Sequence, residues 1–179
     1  MKDGLFKTIL YTILGIGIMT AIMTLTSMTT PFEGVYIKFA YGYLALFAGV
    51  AGAIPAAIVG FTGHVLFDLI YTDHLWLSWA LSTGALGFVF GFAIRRKSLR
   101  QGVFSEHDMI RFNVVQAVVN IAIFGLIAPT LDVLFYQHST TIVFTQGWIA
   151  SIINLLTVAV FGTITLKLYA NYKLKQNKQ

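Results

Sequence analysis

From Leu5 to Thr26 the chain reads LFKTILYTILGIGIMTAIMTLT, and Lys7 is the single charge in it. The hydrocarbon core of a bilayer is about 30 Å thick and takes about 20 apolar residues per helical crossing. A soluble domain would have to bury such a run on every side, whereas a membrane accepts it as it stands. Stretches of the same character recur to the end of the chain. Of all residues 57% are hydrophobic and 11% charged, against about 25% charged in an ordinary soluble domain, and the mean hydropathy is +0.78. The sequence therefore describes an integral membrane protein. Its start has the Lys-then-apolar order of a signal peptide. The apolar run continues past the usual h-region without an A-x-A-like cleavage site, so it reads as a retained first helix.

Breakers and hydropathy divide the chain into six spans forming one all-α membrane domain over residues 1–179. Helix 1 is expected over Leu5–Thr26, followed by the turn-prone segment SMTTPFEGVYIK. Helix 2 covers Phe39–Gly52. Pro55 falls in the first turn of helix 3, where a missing N–H costs nothing, and helix 3 runs to Tyr71. Helix 4 is Leu75–Ile94, closed by Arg95-Arg96-Lys97. Helix 5 runs from Asp108 to Ile127, where Pro129 is expected to break or bend it, and helix 6 covers Ile142–Tyr169. With six crossings, both termini lie on one side. That side holds Lys2, Lys7, Arg95, Arg96, Lys97, Arg100, Arg111, Lys167, Lys173, Lys175 and Lys178, and the other holds Lys38. The positive-inside rule then makes both termini cytoplasmic, and segments 27–38, 71–76 and 128–141 face outward.

Within this frame the segment GFTGHVLFDLIYTDHLWLSW is anomalous, because it sets His64, Asp68, Asp73 and His74 among hydrocarbon. His64 and Asp68 are four apart and share a helix face that Tyr71 continues. An ionised group at a helix centre costs at least ~2.5–3.5 kcal/mol on insertion scales, so this face looks into the bundle or a wet cavity. Two readings fit equally: ligand contact, or an intramembrane pair holding helix 3 to its neighbours. Asp132, Tyr136, Gln137 and His138 fall in another outer segment, so ionisable and aromatic groups gather outside. Tyr41 and Trp79 belong to that aromatic cluster, much of which an interfacial belt explains. Asn113, Gln116 and Asn120 form one stripe on helix 5. Asn113 and Gln116 suit interhelical bonds, while Asn120, with Gln146 and Asn154 of helix 6, sits high enough to meet a ligand. A metal site is not expected, since no third helical ligand accompanies His64 and Asp68.

Small residues recur at four-residue spacing: Gly17 and Ala21, Ala45 and Gly49, Ala48 and Gly52, Ala56 and Gly60, Gly87 and Gly91. Such faces let helices approach closely, either inside the bundle or against a partner. The sequence carries no G-x-x-x-x-G-K-[ST] phosphate loop, no H-E-x-x-H and no G-x-S-x-G. Enzyme chemistry has no foothold, and this chain is not expected to hydrolyse ATP. The net charge of +5 sits beside spans, where it orients the chain rather than binding nucleic acid.

The blocks YGYLALFAGVAGAIPAAIVGFTGHVLFDLI, DMIRFNVVQAVVNI, GLIAPTLDVL and VFTQGWIASIINL, with Gly17-xxx-Ala21, resemble the substrate-binding (S) components of bacterial energy-coupling factor (ECF) vitamin transporters. The later segments look like the cobalamin-uptake subgroup. The resemblance implies a six-helix protein of the bacterial plasma membrane that needs no cofactor and binds its vitamin from outside. It implies docking on a transmembrane coupling (T) subunit through the small faces of helices 1 to 3, at Gly17, Ala21, Ala48, Gly52, Ala56 and Gly60. Two cytoplasmic ATPases would drive that subunit, and the S component would topple to deliver its load. The family motif on helix 1 is Ala-xxx-Ala, and here its first position is Gly17. His64, Asp68, Tyr71, Trp79, Tyr41, Asn120, Gln146 and Asn154 are the expected vitamin contacts. The alternatives are an S component for another small vitamin or precursor, or a self-contained proton-coupled carrier using His64 and Asp68 as a relay.

Overall fold

The computed structural model describes residues 2–72 and 74–179, with side chains from Leu5 onward. Asp73 lies outside the described residues, as does the side chain of Lys2. Helix α1 (Lys2–Thr26) leads into a small antiparallel ribbon, β1 (Met28–Thr29) and β2 (Tyr36–Ile37), in the register Met28↔Ile37 and Thr29↔Tyr36. Helices α2 (Ala40–Ala51), α3 (Ala53–Phe67), α4 (Leu77–Ala93), α5 (Arg96–Arg100), α6 (Glu106–Asn120), α7 (Ala128–Tyr136), α8 (Thr140–Thr157) and α9 (Thr163–Gln176) follow. Three π-helical stretches extend or join them: Asp68–Thr72 after α3, Ile121–Ile127 between α6 and α7, and Val158–Gly162 between α8 and α9. Apart from the ribbon, the regular structure among the described residues is all helical.

Among the described residues, four continuous helices are long and apolar enough to cross a membrane: Leu5–Thr26, Ala53–Thr72, Glu106–Tyr136 and Thr140–Gln176. The two other expected crossings, α2 and α4, have 12 and 17 residues, or about 18 and 26 Å at 1.5 Å per residue. Short helices are tolerable where protein rather than lipid meets their ends. Helix α2 is enclosed, with Ala40, Tyr41, Leu44, Ala45 and Ala48 all buried. Its last carbonyls have no helical partner, and guanidinium groups supply one. Arg96 donates to the carbonyls of Val50 and Ala51 (3.1 and 2.9 Å), and Arg100 donates to Val50 (2.7 Å). Gly52, at φ +102°, turns the chain straight into α3.

Pro129 does not end its helix as expected. Proline removes a donor and presses its ring on the carbonyl four residues back. Here the preceding stretch has already moved to π hydrogen bonding, with the Ala128 N–H on the Ile123 carbonyl five residues earlier. Pro129 then sits in the first turn of α7, and the chain stays helical to Tyr136. Gly147 of α8 lies against this point, since a Cβ there would come within 2.5 Å of the Phe124 carbonyl oxygen and meet the Pro129 ring. Asp132, expected in an outer loop, is on α7 and fully buried.

The small-residue rows find each other. Along the antiparallel α3–α4 seam, a Cβ on Gly60 would stand 2.6 Å from the Thr83 carbonyl oxygen, and one on Gly87 would stand 2.5 Å from that of Ala56. Gly91 packs on Ala53 in the same way. Ala48, Gly52, Ala56 and Gly60, expected to dock a partner, are buried within the bundle; Ala56 and Gly60 lie in the α3–α4 seam, and Gly52 lies against the Arg96 guanidinium. Gly17 and Ala21 differ. Both are exposed on α1, and a Cβ on Gly17 would meet nothing within 4 Å. A paired substitution tests this division. Gly87→Ala should lower the melting temperature in detergent by the cost of overpacking, about 1–3 kcal/mol. Gly17→Ala should leave it unchanged or raise it, by up to about 1 kcal/mol of helix propensity.

Candidate ligand-binding cavity

Between the ribbon, the start of α4 and the N-terminal part of α8 lies a cavity of about 480 Å³. This is within the roughly 300–1,000 Å³ that takes a drug-sized ligand. Aromatic rings from several elements wall it: Tyr36 on β2, Tyr41 on α2, Phe67 on α3, and Trp76 with Trp79 at the head of α4. Gln146 and Asn154 bring amides from α8. The ribbon is tied to α8 by the Gln146 side-chain amide, which donates to the Glu33 backbone carbonyl at 2.8 Å. The turn itself is closed by Thr30, whose hydroxyl donates to the Val35 carbonyl at 2.8 Å, and by Gly34 at φ +73°.

The polar end of the cavity is a directed chain of hydrogen bonds. Lys38, placed just before α2 and 7% exposed, lies 3.2 Å from His64 Nε2. His64 Nδ1 lies 2.6 Å from the Thr83 hydroxyl, and that hydroxyl donates to the Trp79 carbonyl at 3.0 Å. A threonine hydroxyl has a single proton. With that proton on Trp79, Thr83 accepts from Nδ1–H, and Nε2 is left to accept from the Lys38 ammonium. The partners thus assign the His64 tautomer. Lys38 also lies over the Phe67 ring, 4.7 Å from its centroid, and near that of Tyr36 at 5.9 Å. Burial pulls its ammonium from the usual 10.5 down to about 8, and the charge of Asp68 partly restores it.

The expected His64–Asp68 pair takes a different form. Asp68 Oδ1 is 3.5 Å from His64 Nε2, too long for a good hydrogen bond, and Nε2 is already engaged by Lys38. Asp68 Oδ2 instead accepts the Trp76 backbone N–H at 3.0 Å, which holds the head of α4 against the end of α3. Of the expected contacts, His64, Tyr41, Trp79, Gln146 and Asn154 line the cavity. Asp68, Tyr71 and Asn120 are not among its lining residues. Tyr71 is exposed and stacks on Phe67, centroids 5.1 Å apart, backing the wall from outside. Asn120 is fully buried and donates to the Gln116 carbonyl and side chain at 2.8 and 3.0 Å. Gln116 reaches the Leu155 carbonyl (3.3 Å) and Asn113 reaches the Thr163 hydroxyl (2.9 Å), so this stripe fastens α6 to α8 and α9. Asp132 accepts from the Ser78 hydroxyl and from Trp79 Nε1–H, the latter at 2.8 Å, and thereby sets the tilt of one aromatic wall.

Sequence reasoning passed over Lys38, which it counted only as the charge on the minority side. That isolation was itself the signal. A single lysine apart from the other eleven basic residues, two positions before α2, is placed differently from those that gather beside the other helices. Trp76 and Phe67 were indistinguishable in sequence from belt and core aromatics.

The comparisons extend over almost the whole chain. Residues 6–171 match the model of the ECF-type riboflavin transporter, S component. A UPF0397 protein of Lactococcus lactis is 39% identical over 98% of this chain and 96% of its own length. UPF0397 proteins of Enterococcus faecalis and Staphylococcus aureus are 37% and 34% identical, each over 92% of both chains. No solved structure matches the chain. With an aromatic-walled cavity closed by polar groups on a membrane-helix scaffold, and a match spanning residues 6–171, the chain belongs to the ECF-type riboflavin transporter S component family.

Proposed function

We propose that this protein captures a small vitamin or vitamin precursor of about flavin size in the cavity beside the ribbon and releases it to the cytoplasm. Membership of the S-component family makes it the binding subunit of an ECF transporter in a bacterial membrane, not an enzyme, and associates it with T and ATPase subunits. The observation that carries the choice of substrate size is the cavity. Its volume of about 480 Å³ suits one flat ring system between Trp76, Trp79 and Tyr41. A corrinoid, with its amide side chains and nucleotide loop, is far larger. The cobalamin reading rests on likeness of the later segments alone, whereas the matching family model bears the name of a riboflavin transporter component.

A thermal-shift panel on the purified protein tests this. A cognate vitamin at about 100 times its Kd adds about 2.7 kcal/mol of stability. A member of flavin size should give that shift and cobalamin should not. A shift with cobalamin alone would reinstate the corrinoid.

In this reading six helices cross the membrane with both termini cytoplasmic, and the cavity opens outward. Reporter fusions at Gln179 and within 74–76 should therefore report opposite sides. The same side for both would end that topology.

Gly17 and Ala21, the exposed small pair on α1, are the proposed docking positions for the T subunit. Gly17→Leu with Ala21→Leu should abolish uptake and co-purification with the T subunit while leaving vitamin affinity within about twofold, because neither residue lines the cavity. Retained transport by the double variant would move the docking face elsewhere.

A further inference from the structure

Lys38 is a buried cation without a matching anion among the described residues. The ion pairs among the described residues are His64 with Asp68 and Arg95 with Asp108, so no described carboxylate oxygen lies within 4.0 Å of the Lys38 ammonium. Asp68 is the charge felt from nearby, yet its Oδ2 is bound to the Trp76 N–H and it does not line the cavity. Glu33 does line it, on the exposed turn of the ribbon. Burying an ammonium this way is costly unless a partner neutralises it. The Phe67 and Tyr36 rings offset part of the cost, and His64 accepts one of its three N–H donors. The others remain for the cavity that Lys38 lines. His64 cannot turn away to compete for a ligand, since its other nitrogen is committed through Thr83 to the Trp79 carbonyl.

We propose that Lys38 is a specificity residue that binds an ionised carboxylate or phosphate on the ligand, so that the captured molecule is a small aromatic vitamin or precursor bearing an anionic group. This rests on the reading of the cavity as the capture site. The ring would lie among Trp76, Trp79 and Tyr41. The anion would meet the Lys38 ammonium, replacing water as its partner, in the charge-assisted geometry that is about twice as strong as a neutral hydrogen bond.

The test pairs neutral and anionic probes of the same ring on the full-length protein in nanodiscs: nicotinamide with nicotinate, and riboflavin with riboflavin 5′-phosphate, within the wider vitamin panel. Binding is read by quenching of tryptophan fluorescence. The anionic member of a bound pair should bind roughly tenfold to a hundredfold tighter, the worth of a hydrogen bond to a charged group. Lys38→Met should erase that preference, leave the neutral member's affinity within about twofold, and keep or raise the apo melting temperature. In the unaltered protein, affinity for the anion should fall as pH rises through about 8, where Lys38 loses its proton, and the neutral member should bind evenly. The titratable neighbours around Lys38 and its cavity are Tyr36, Tyr41, His64, Asp68, Glu33, His74 and His138, so Lys38→Met must also flatten the pH profile. This arm stands even where the variant folds poorly, because the unaltered protein carries it. A panel in which nothing binds overturns the capture reading itself. A neutral member that binds as tightly as its anionic counterpart or tighter, or a bound anion indifferent to both Lys38→Met and pH, overturns the role of Lys38 and leaves the capture reading standing.

Discussion

The close approach of α3 and α4 is the constraint on which the rest of the structure depends. Glycines at 60, 87 and 91 let backbone meet backbone along the seam. In a bilayer, where lipid tails are as apolar as leucine, dispersion contact of this kind is the main force joining helices. The seam brings His64 on one helix to 2.6 Å from Thr83 on the other. It also fixes Trp79 as a cavity wall. A wider seam would leave the histidine nitrogen unpaired in low dielectric, and the polar end of the cavity would lose its direction.

A second tier of contacts holds the aromatic walls in place from behind. Asp132 takes the Trp79 indole N–H and the Ser78 hydroxyl, Asp68 takes the Trp76 backbone N–H, and Tyr71 stacks on Phe67. Both carboxylates are buried, yet they act on backbone and side-chain donors, and neither lines the cavity. A buried carboxylate fixed by directional donors positions a wall without presenting a charge to whatever the wall touches.

The helices were legible because membrane insertion writes itself as long apolar runs, and Gly52 with Pro55 marked the α2–α3 turn correctly. Pro129 does not break its helix because the rule for proline concerns the α-helical hydrogen-bond register, and the chain had left that register before reaching it. Spacing showed that Ala56, Gly60, Gly87 and Gly91 were small-residue faces. It could not show that they faced one another, which is a fact about the third dimension. His64, Tyr41, Trp79, Gln146 and Asn154, which line the cavity, stand out in the sequence because they are polar or aromatic groups in hydrocarbon. Asp68, Tyr71 and Asn120 stood out for the same reason, though what they touch is other protein. Lys38 was hidden by its usefulness to a different argument.

The π stretch at Ile121–Ile127 has a consequence that is clearest in genetic terms. A π turn bonds each N–H one residue further back than an α turn and so holds one residue more; losing one residue here can be taken up by closing the turn to α geometry. The same loss where the helix stays α would turn everything after it by about 100°. Asp132 would then leave Ser78 and Trp79, and Pro129 would leave Gly147. The π stretch is thus the place in this span where a change of length does least harm to the cavity wall, and its exposed positions Ile121, Leu126 and Ile127 carry none of that wall's contacts.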